Sequence, residues 1–597
     1  MMQTMEKLER YLNQLEPSAE FLPTLVTKQT YLDLLEIVFH TYSADQIYSR
    51  TKFNGEYMDL QTYSRLTSVL ACLLSGGRVP EHRGLLERMM SECCKEIQLL
   101  QGDVISDFAV KEIMLAYKLI KKRASVNKLE EWREALSRID PFNQYLFTIR
   151  DVNDEKMTDL HNINVYNMVG EFLRETEGLT DSSSYFAVHW PYQLKKFDAY
   201  GMYMDPGCPM LYDLTTRCQI QLMMKHGYEG PFAEQLDGKL AKAGLMTLFT
   251  QSSAYEFPYG GRSNQFLFNE ALIAANCEFE AVRYKKKGNP RIAGAFKRSG
   301  HLAVIAVKRW LDIAPPRHIK NFYPIESRWG TEAYGYYDKY MITFGAFLAL
   351  AYYFADDSIA EAPCPAERGG YVLETSEHFH KIFAGAGGYS IEVDTKADLK
   401  YDATGLGRIH RSSIPTELGL SSPLSMGDAY ELNDGIGRVF GSISPGWENR
   451  DGGIQFLSEI SNGINKRLAI FHENVEFTEF MLEISGLQSW RAIRQLFKLS
   501  EEGVQIHIEL VEPAVERVYL QLPLLVANGM DKAGLHIGQN AITVTMGRYQ
   551  YKAVFDGRPV VSETVYGNRN GEYRIATIQS EGRYLSLKLQ LIDALKR

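Results

Sequence analysis

The sequence predicts an α+β protein of two domains, an (α/α)6-type helical toroid over 1–357 followed by an antiparallel β-sandwich over 371–597. Two observations predict this. In the first half, polar, glycine-bearing loops run repeatedly into apolar helices, at intervals of roughly 45 to 75 residues. In the second half the hydrophobic period changes to two, with turn dipeptides between the runs. A chain of 597 residues also exceeds the size at which one core stops growing.

The helical half is read as follows. Tyr31–Tyr42 and Phe108–Ile120 carry apolar residues at helical spacing. Tyr57–Thr62 heads a helix at Tyr63–Leu74, His161–Asn164 one at Val165–Arg174, and Asp205–Met210 one at Leu211–Met224. Phe257-Pro-Tyr-Gly-Gly-Arg-Ser-Asn-Gln-Phe266 opens another, and Gly330–Lys339 opens Tyr340–Phe354. Pro231–Thr247 and Arg298–Asp312 lie between them as return helices. Six inner helices, starting near 63, 106, 164, 211, 265 and 339, would place their N-terminal ends on one face. Proline and glycine in Asp356–Gly370 break any helix and mark the boundary. Beyond it Tyr389–Asp394, Gln505–Val511, Ala541–Thr545 and Tyr584–Leu591 alternate, with Asn528-Gly, Asp556-Gly and Asn570-Gly as turns.

Composition excludes several classes. Apolar residues at 45% and charged residues at 23% describe an ordinary globular protein, and a formal charge of −9 argues against a nucleic-acid partner. No run of 18 uncharged apolar residues occurs, so no membrane partner is expected. The N-terminus lacks a secretory signal pattern, and seven cysteines without metal spacing read as reduced thiols, so a cytoplasmic location is expected. A P-loop, HExxH and GxSxG are absent. A homo-oligomer is left open.

The loops carry the candidate chemistry. Arg262, Asn264 and Gln265, beside Tyr259 and the glycine pair, are more polar donors than a helix cap requires, although Ser263 or Asn264 can cap. A guanidinium fork and an amide near a helix start suit a carboxylate ligand. His189, read in an irregular segment, stands among Trp190, Tyr192, Tyr200 and Tyr203, whose rings suit sugar stacking; Asp205 is either an N-cap or a ligand for hydroxyls. Trp329, Glu332, Tyr334, Tyr336 and Tyr337 form a third group, in which a tyrosine near an arginine can carry a proton. Arg408 and His410, in a glycine-rich stretch of the β half, could reach the cleft. The plain alternative at each place is a capped helix start, a satisfied core histidine or a surface hairpin.

This combination resembles the uronic-acid polysaccharide lyases related to heparinase II/III and alginate lyases. Gly261-Arg-Ser263 and, more loosely, Lys339 with Ala346-Phe-Leu-Ala-Leu350 also resemble motifs of a bacterial family that includes exo-acting β-glucuronidases. The resemblance implies β-elimination at a glucuronate-type residue of an oligosaccharide, without metal or cofactor. Arg262, Asn264 and Gln265 would neutralise the carboxylate, His189 or His410 would be the base, and Tyr334, Tyr336 or Tyr337 the acid. A hydrolase would instead need two carboxyl groups, with Asp205, Asp213, Glu256, Glu332 and Asp338 as candidates. A non-catalytic glycan-binding protein is the third reading, because fold alone does not fix reaction.

Overall fold

A computed structural model describes residues 2–150, 160–449, 452–487, 491–511 and 517–596. Six inner helices, Leu60–Ser75, Val104–Ile120, Asn162–Glu175, Met210–Lys225, Phe268–Lys286 and Tyr337–Phe354, each pack on the next, and the last packs back on the first. Outer helices alternate with them along the chain: Lys28–Phe39, Arg83–Glu96, Val126–Ser137, Ser183–Gln193, Ala233–Thr250 and Pro290–Leu311. The result is an (α/α)6 toroid. The inner helices are buried on nearly every side, as helices walled by neighbours must be; Tyr337–Phe354 hides Tyr340, Met341, Ile342, Phe344, Phe347, Leu348, Leu350 and Phe354. Among the described residues no helix is long and apolar enough to cross a membrane. All seven cysteine thiols are free.

Three antiparallel sheets follow. The first has strands β1 (Tyr371–Glu374), β2 (Lys381–Ala386), β3 (Tyr389–Asp394) and β4 (Gly405–Arg411), paired in that order. An eight-stranded sheet runs from Gly534–Ile537 at one edge to Asn465–Glu473 at the other, and a six-stranded sheet includes Val518–Ala527 and Glu572–Gln579. The β1–β4 sheet is covered on both faces. Tyr371, Leu373 and Phe383 join the apolar core of the toroid, while Val372, Ile382 and Ala384 join the core of the larger sheets. Alternation in β3 therefore does not mark a solvent face: Ser390, Glu392 and Asp394 are buried at 7%, 1% and 1% exposure, the first two bonded to Ser253 and Tyr259 N of the toroid's loops and Asp394 to His380 and Lys381. Polar strand residues survive there because each has a partner.

Candidate active site

The loop that precedes the Phe268–Lys286 helix does not cap it: that helix starts from Leu267 with no side-chain cap. Its residues are instead held in an unusual backbone path. Gly261, Ser263 and Gln265 all have positive φ, at +71°, +58° and +69°. A Cβ on Gly261 would stand 2.9 Å from the Pro209 Cα, so only glycine fits. Left-handed Ser263 and Gln265 cost on the order of 1–3 kcal/mol each, offset by bonds from several directions. Gly261 N donates to Asp402 Oδ2 at 2.7 Å and Ser263 N to Glu332 Oε1 at 2.5 Å. The Gln265 amide bridges Asn264 Oδ1 (2.6 Å) and Asn570 Nδ2 (3.1 Å).

This loop brings together the ends of three neighbouring inner helices. Ser263 Oγ lies 2.9 Å from the hydroxyl of Tyr212, in the first turn of Met210–Lys225, and 3.2 Å from that of Tyr334, just before Tyr337–Phe354. The Arg262 guanidinium sits over the Tyr212 ring at 4.6 Å, donates to Pro206 O at 2.6 Å and pairs with Asp205. Asp205 is fully buried and also accepts from Asn162 N and Nδ2, both at 3.0 Å, so it caps the neighbouring inner helix and anchors Arg262. Arg262 and Tyr334 remain reachable, at 27% and 38% exposure. Asn264 Nδ2 is buried with no hydrogen-bond partner among the described residues. Burial raises the pKa of Tyr334, with Glu332 adding to it, so its phenol is protonated at neutral pH. The expected lowering by an arginine does not prevail there. For Tyr212 burial also raises the pKa, while Arg262 and Ser263 pull it back.

The β half fastens this rim from behind. Glu332 is buried and joins Arg569 Nη2 at 2.8 Å; Arg569 donates to Gly330 O at 3.2 Å and stacks on Tyr430 at 4.6 Å. Gly330 is required at this closeness, since a Cβ would meet the Arg569 carbonyl oxygen at 2.6 Å. Glu332 thus positions the loop rather than lying open to a ligand, although its Oε2 has no partner among the described residues. Asp402, held above its ordinary pKa at about 7 by burial, grips Gly261.

No protein-family model and no curated protein matches this chain. Among solved structures, heparinase III aligns with 99% of this chain and 90% of its own, at 9% identity and a TM-score of 0.49. A mutant chondroitin AC lyase of Streptomyces coelicolor A3 aligns over 98% and 82%, at 10% and 0.46, and a mutant heparan sulfate lyase of Pedobacter heparinus over 99% and 87%, at 10% and 0.42. Likeness this loose carries no argument about chemistry, which rests on the residues of the rim.

Other sequence-predicted residues lie elsewhere. His189 is in a helix, not an irregular segment; its Nδ1 donates to Tyr185 O at 2.8 Å and its Nε2 accepts from Ile149 N at 2.9 Å. Burial lowers its pKa to about 4, so it is a neutral core residue and not a base. Trp190 packs against Phe186 and Tyr228, and buried Tyr203 donates to Gln193 Oε1 at 2.6 Å; neither offers a face to sugar. His410 is sealed between Ser252 Oγ and Ser421 Oγ, both at 3.0 Å, with its pKa driven well down by burial and then by Arg408. Arg408 donates to Phe257 O and Ser421 O, and Tyr259 lies under the Lys381 ammonium at 3.5 Å, so both join the two halves rather than line a cleft. Gln265 is fully buried and spent on the loop. Tyr336 sits between Arg328 and Lys52, and Tyr337 donates to Pro316 O, both away from Ser263. Trp329, half-buried, packs edge-on to Tyr323. The carboxylates Asp213 and Glu256 are locked to Arg217 and Lys320, and Asp338 accepts from Phe53 N. Sequence reasoning missed Tyr212, Ser263 as the hub, Asp402 and Arg569. Tyr212 was legible as a polar residue in the first turn of a loop-headed helix; Asp402 and Arg569 come from the distant β half.

Proposed function

We propose that this protein cleaves uronic-acid-containing oligosaccharides by β-elimination at a glucuronate-type residue. The observation that carries the reading is the meeting of two tyrosine hydroxyls on one serine, with a partly exposed guanidinium over one of the rings, at the adjoining ends of three inner helices. Arg262 and the free Asn264 amide would receive the uronate carboxylate and stabilise the enolate that forms as the C5 proton leaves. Tyr212 takes that proton in our scheme only in its ionised fraction, which Arg262 favours while burial holds its pKa above the ordinary phenol value, so turnover should rise with pH. Tyr334, held protonated, gives one to the departing oxygen, and the Ser263 hydroxyl links the pair. The electron pair of the C5–H bond ends in the new C4–C5 double bond, and the glycosidic oxygen leaves with the proton of Tyr334.

The test is incubation with glucuronate-containing oligosaccharides, following the ultraviolet absorbance of an unsaturated uronate. Tyr334→Phe should cut turnover by about 10²–10⁴-fold, with circular dichroism unchanged because the side chain is over one-third exposed. A second reading, uronide hydrolysis, draws on the unpartnered Glu332 Oε2. Release of reducing ends without absorbance would favour it over elimination. Binding without turnover would instead mark a non-catalytic glycan-binding protein.

A further inference from the structure

Successive residues of one turn in the β half reach successive residues of the rim loop. In turn 568–571, just before the strand Glu572–Gln579, Asn568 Oδ1 accepts from Asn570 N at 2.8 Å and from Gly571 N at 2.9 Å, which shapes the turn. Arg569 holds the Glu332 carboxylate that accepts from Ser263 N. Asn570 works one residue further along, through a row of side-chain amides that are all buried. Its Nδ2 donates to the backbone carbonyl of Lys320 at 2.9 Å and to Gln265 Oε1 at 3.1 Å, and its Oδ1 accepts from the Ser422 hydroxyl at 2.8 Å. Gln265 Nε2 in turn donates to Asn264 Oδ1 at 2.6 Å.

The polarity of this row is set at its far end. A backbone carbonyl only accepts, so Lys320 O admits only the NH2 end of Asn570. That NH2 needs an oxygen from Gln265, which turns the Gln265 NH2 toward Asn264 and requires the Asn264 oxygen there. The end of Asn264 left over is Nδ2, the atom without a hydrogen-bond partner among the described residues. We infer, resting on the reading that Asn264 receives the uronate carboxylate, that Gln265 and Asn570 are positioning residues whose relay commits Asn264 to presenting a donor, and so commits the rim to an anion. Reversing any one amide would set oxygen against oxygen or nitrogen against nitrogen within the row, and an outward Asn264 oxygen would repel a carboxylate. The charged side chains on the bonded segments are already matched, Lys320 with Glu270 at 2.6 Å and Glu256 at 3.3 Å, and Arg569 with Glu332 at 2.8 Å. The relay itself is uncharged, so no proton need be gained or lost to keep it.

Gln265→Glu tests the relay, because the new side chain keeps the shape of the old and gains a titrating end. Protonated, its hydroxyl donates to Asn264 Oδ1 and its carbonyl oxygen accepts from Asn570, as the glutamine does. Ionised, it offers only acceptors, so Asn264 turns its NH2 inward and its oxygen outward. Burial raises the pKa of a carboxyl group, so this change falls between about pH 5 and pH 8. The experiment measures calorimetric binding of free glucuronate and turnover of glucuronate oligosaccharides at both ends of that range. It compares the parent, Gln265→Glu and Gln265→Met, with urea unfolding to confirm that each is folded. Relative to the parent at the same pH, Gln265→Glu should bind and turn over nearly as well at the acid end. At the alkaline end its Kd should rise about tenfold or more and its kcat fall about 10²–10³-fold. Gln265→Met, with neither donor nor acceptor, should lose to the same degree at both. Parent-like values for Gln265→Glu at both ends, or an equal loss at both, would overturn the relay, the second by showing a merely structural role. If the parent binds glucuronate and Gln265→Glu shows the pH-graded loss, but no unsaturated product forms, elimination fails and the relay stands. Neither binding nor turnover by the parent would sink the reading of the rim and this inference with it.

Discussion

Arg569 offers the sharpest test of how the β half holds the rim. Its guanidinium and the Glu332 carboxylate are each 2% exposed and 2.8 Å apart. Arg569→Met leaves a buried carboxylate without its cation, a change that costs about 3–5 kcal/mol. The lost contact with Tyr430 adds about 0.5–2 kcal/mol. Glu332→Gln leaves the opposite charge alone and falls in the first of those ranges. The double variant carries no unpaired charge, so its cost should be well below the sum of the singles. Urea unfolding of the four proteins measures that cycle. Peptide-level hydrogen exchange over 257–267 adds a local readout, because Ser263 N loses a well-placed acceptor. Single costs below about 1 kcal/mol, strict additivity, or unchanged exchange in that loop would refute the clamp.

Two further expectations follow from buried groups. Asp402 has a folded pKa near 7 against an unfolded value of about 3.9. Raising the pH from about 4 to 7 then ionises only the unfolded form, so stability falls through that window by about 4 kcal/mol on this group's account and levels off above it. Asp402→Asn should flatten that part of the curve of stability against pH, measured as the difference from the parent; an unchanged slope would count against the assignment. His189→Ala removes a ring that satisfies a buried backbone donor and acceptor, at a cost of about 1–3 kcal/mol for each group left unpaired. It should lower the unfolding midpoint and leave kcat near the parent's at a temperature where both are folded, whereas a large loss of kcat would restore this histidine as a base.

Much of the helical half was legible because an inner helix leaves a local trace: an apolar run of four turns, headed by a polar, glycine-bearing loop. The starts read near 63, 106, 164, 211, 265 and 339 stand at Leu60, Val104, Asn162, Met210, Phe268 and Tyr337. The candidate site was harder. Arg262, Asn264 and Tyr334 announce themselves as polar excess before a helix, but His189 and His410 look the same in one dimension whether they face a cleft or a carbonyl oxygen. Local spacing cannot say whether a ring nitrogen already has a partner.

By itself, then, the amino-acid order determined the alternation of inner and return helices, the change of period near residue 370 and the loops from which chemistry is drawn, since these follow from hydrophobic spacing and backbone preferences over a few neighbours. Tertiary structure alone decided that Ser263 joins Tyr212 to Tyr334, that Glu332 answers to Arg569 from 237 positions away, and that the polar face of β3 meets protein instead of water. Those outcomes depend on desolvation and on which distant groups share a buried space, and neither quantity is written in any short stretch of chain.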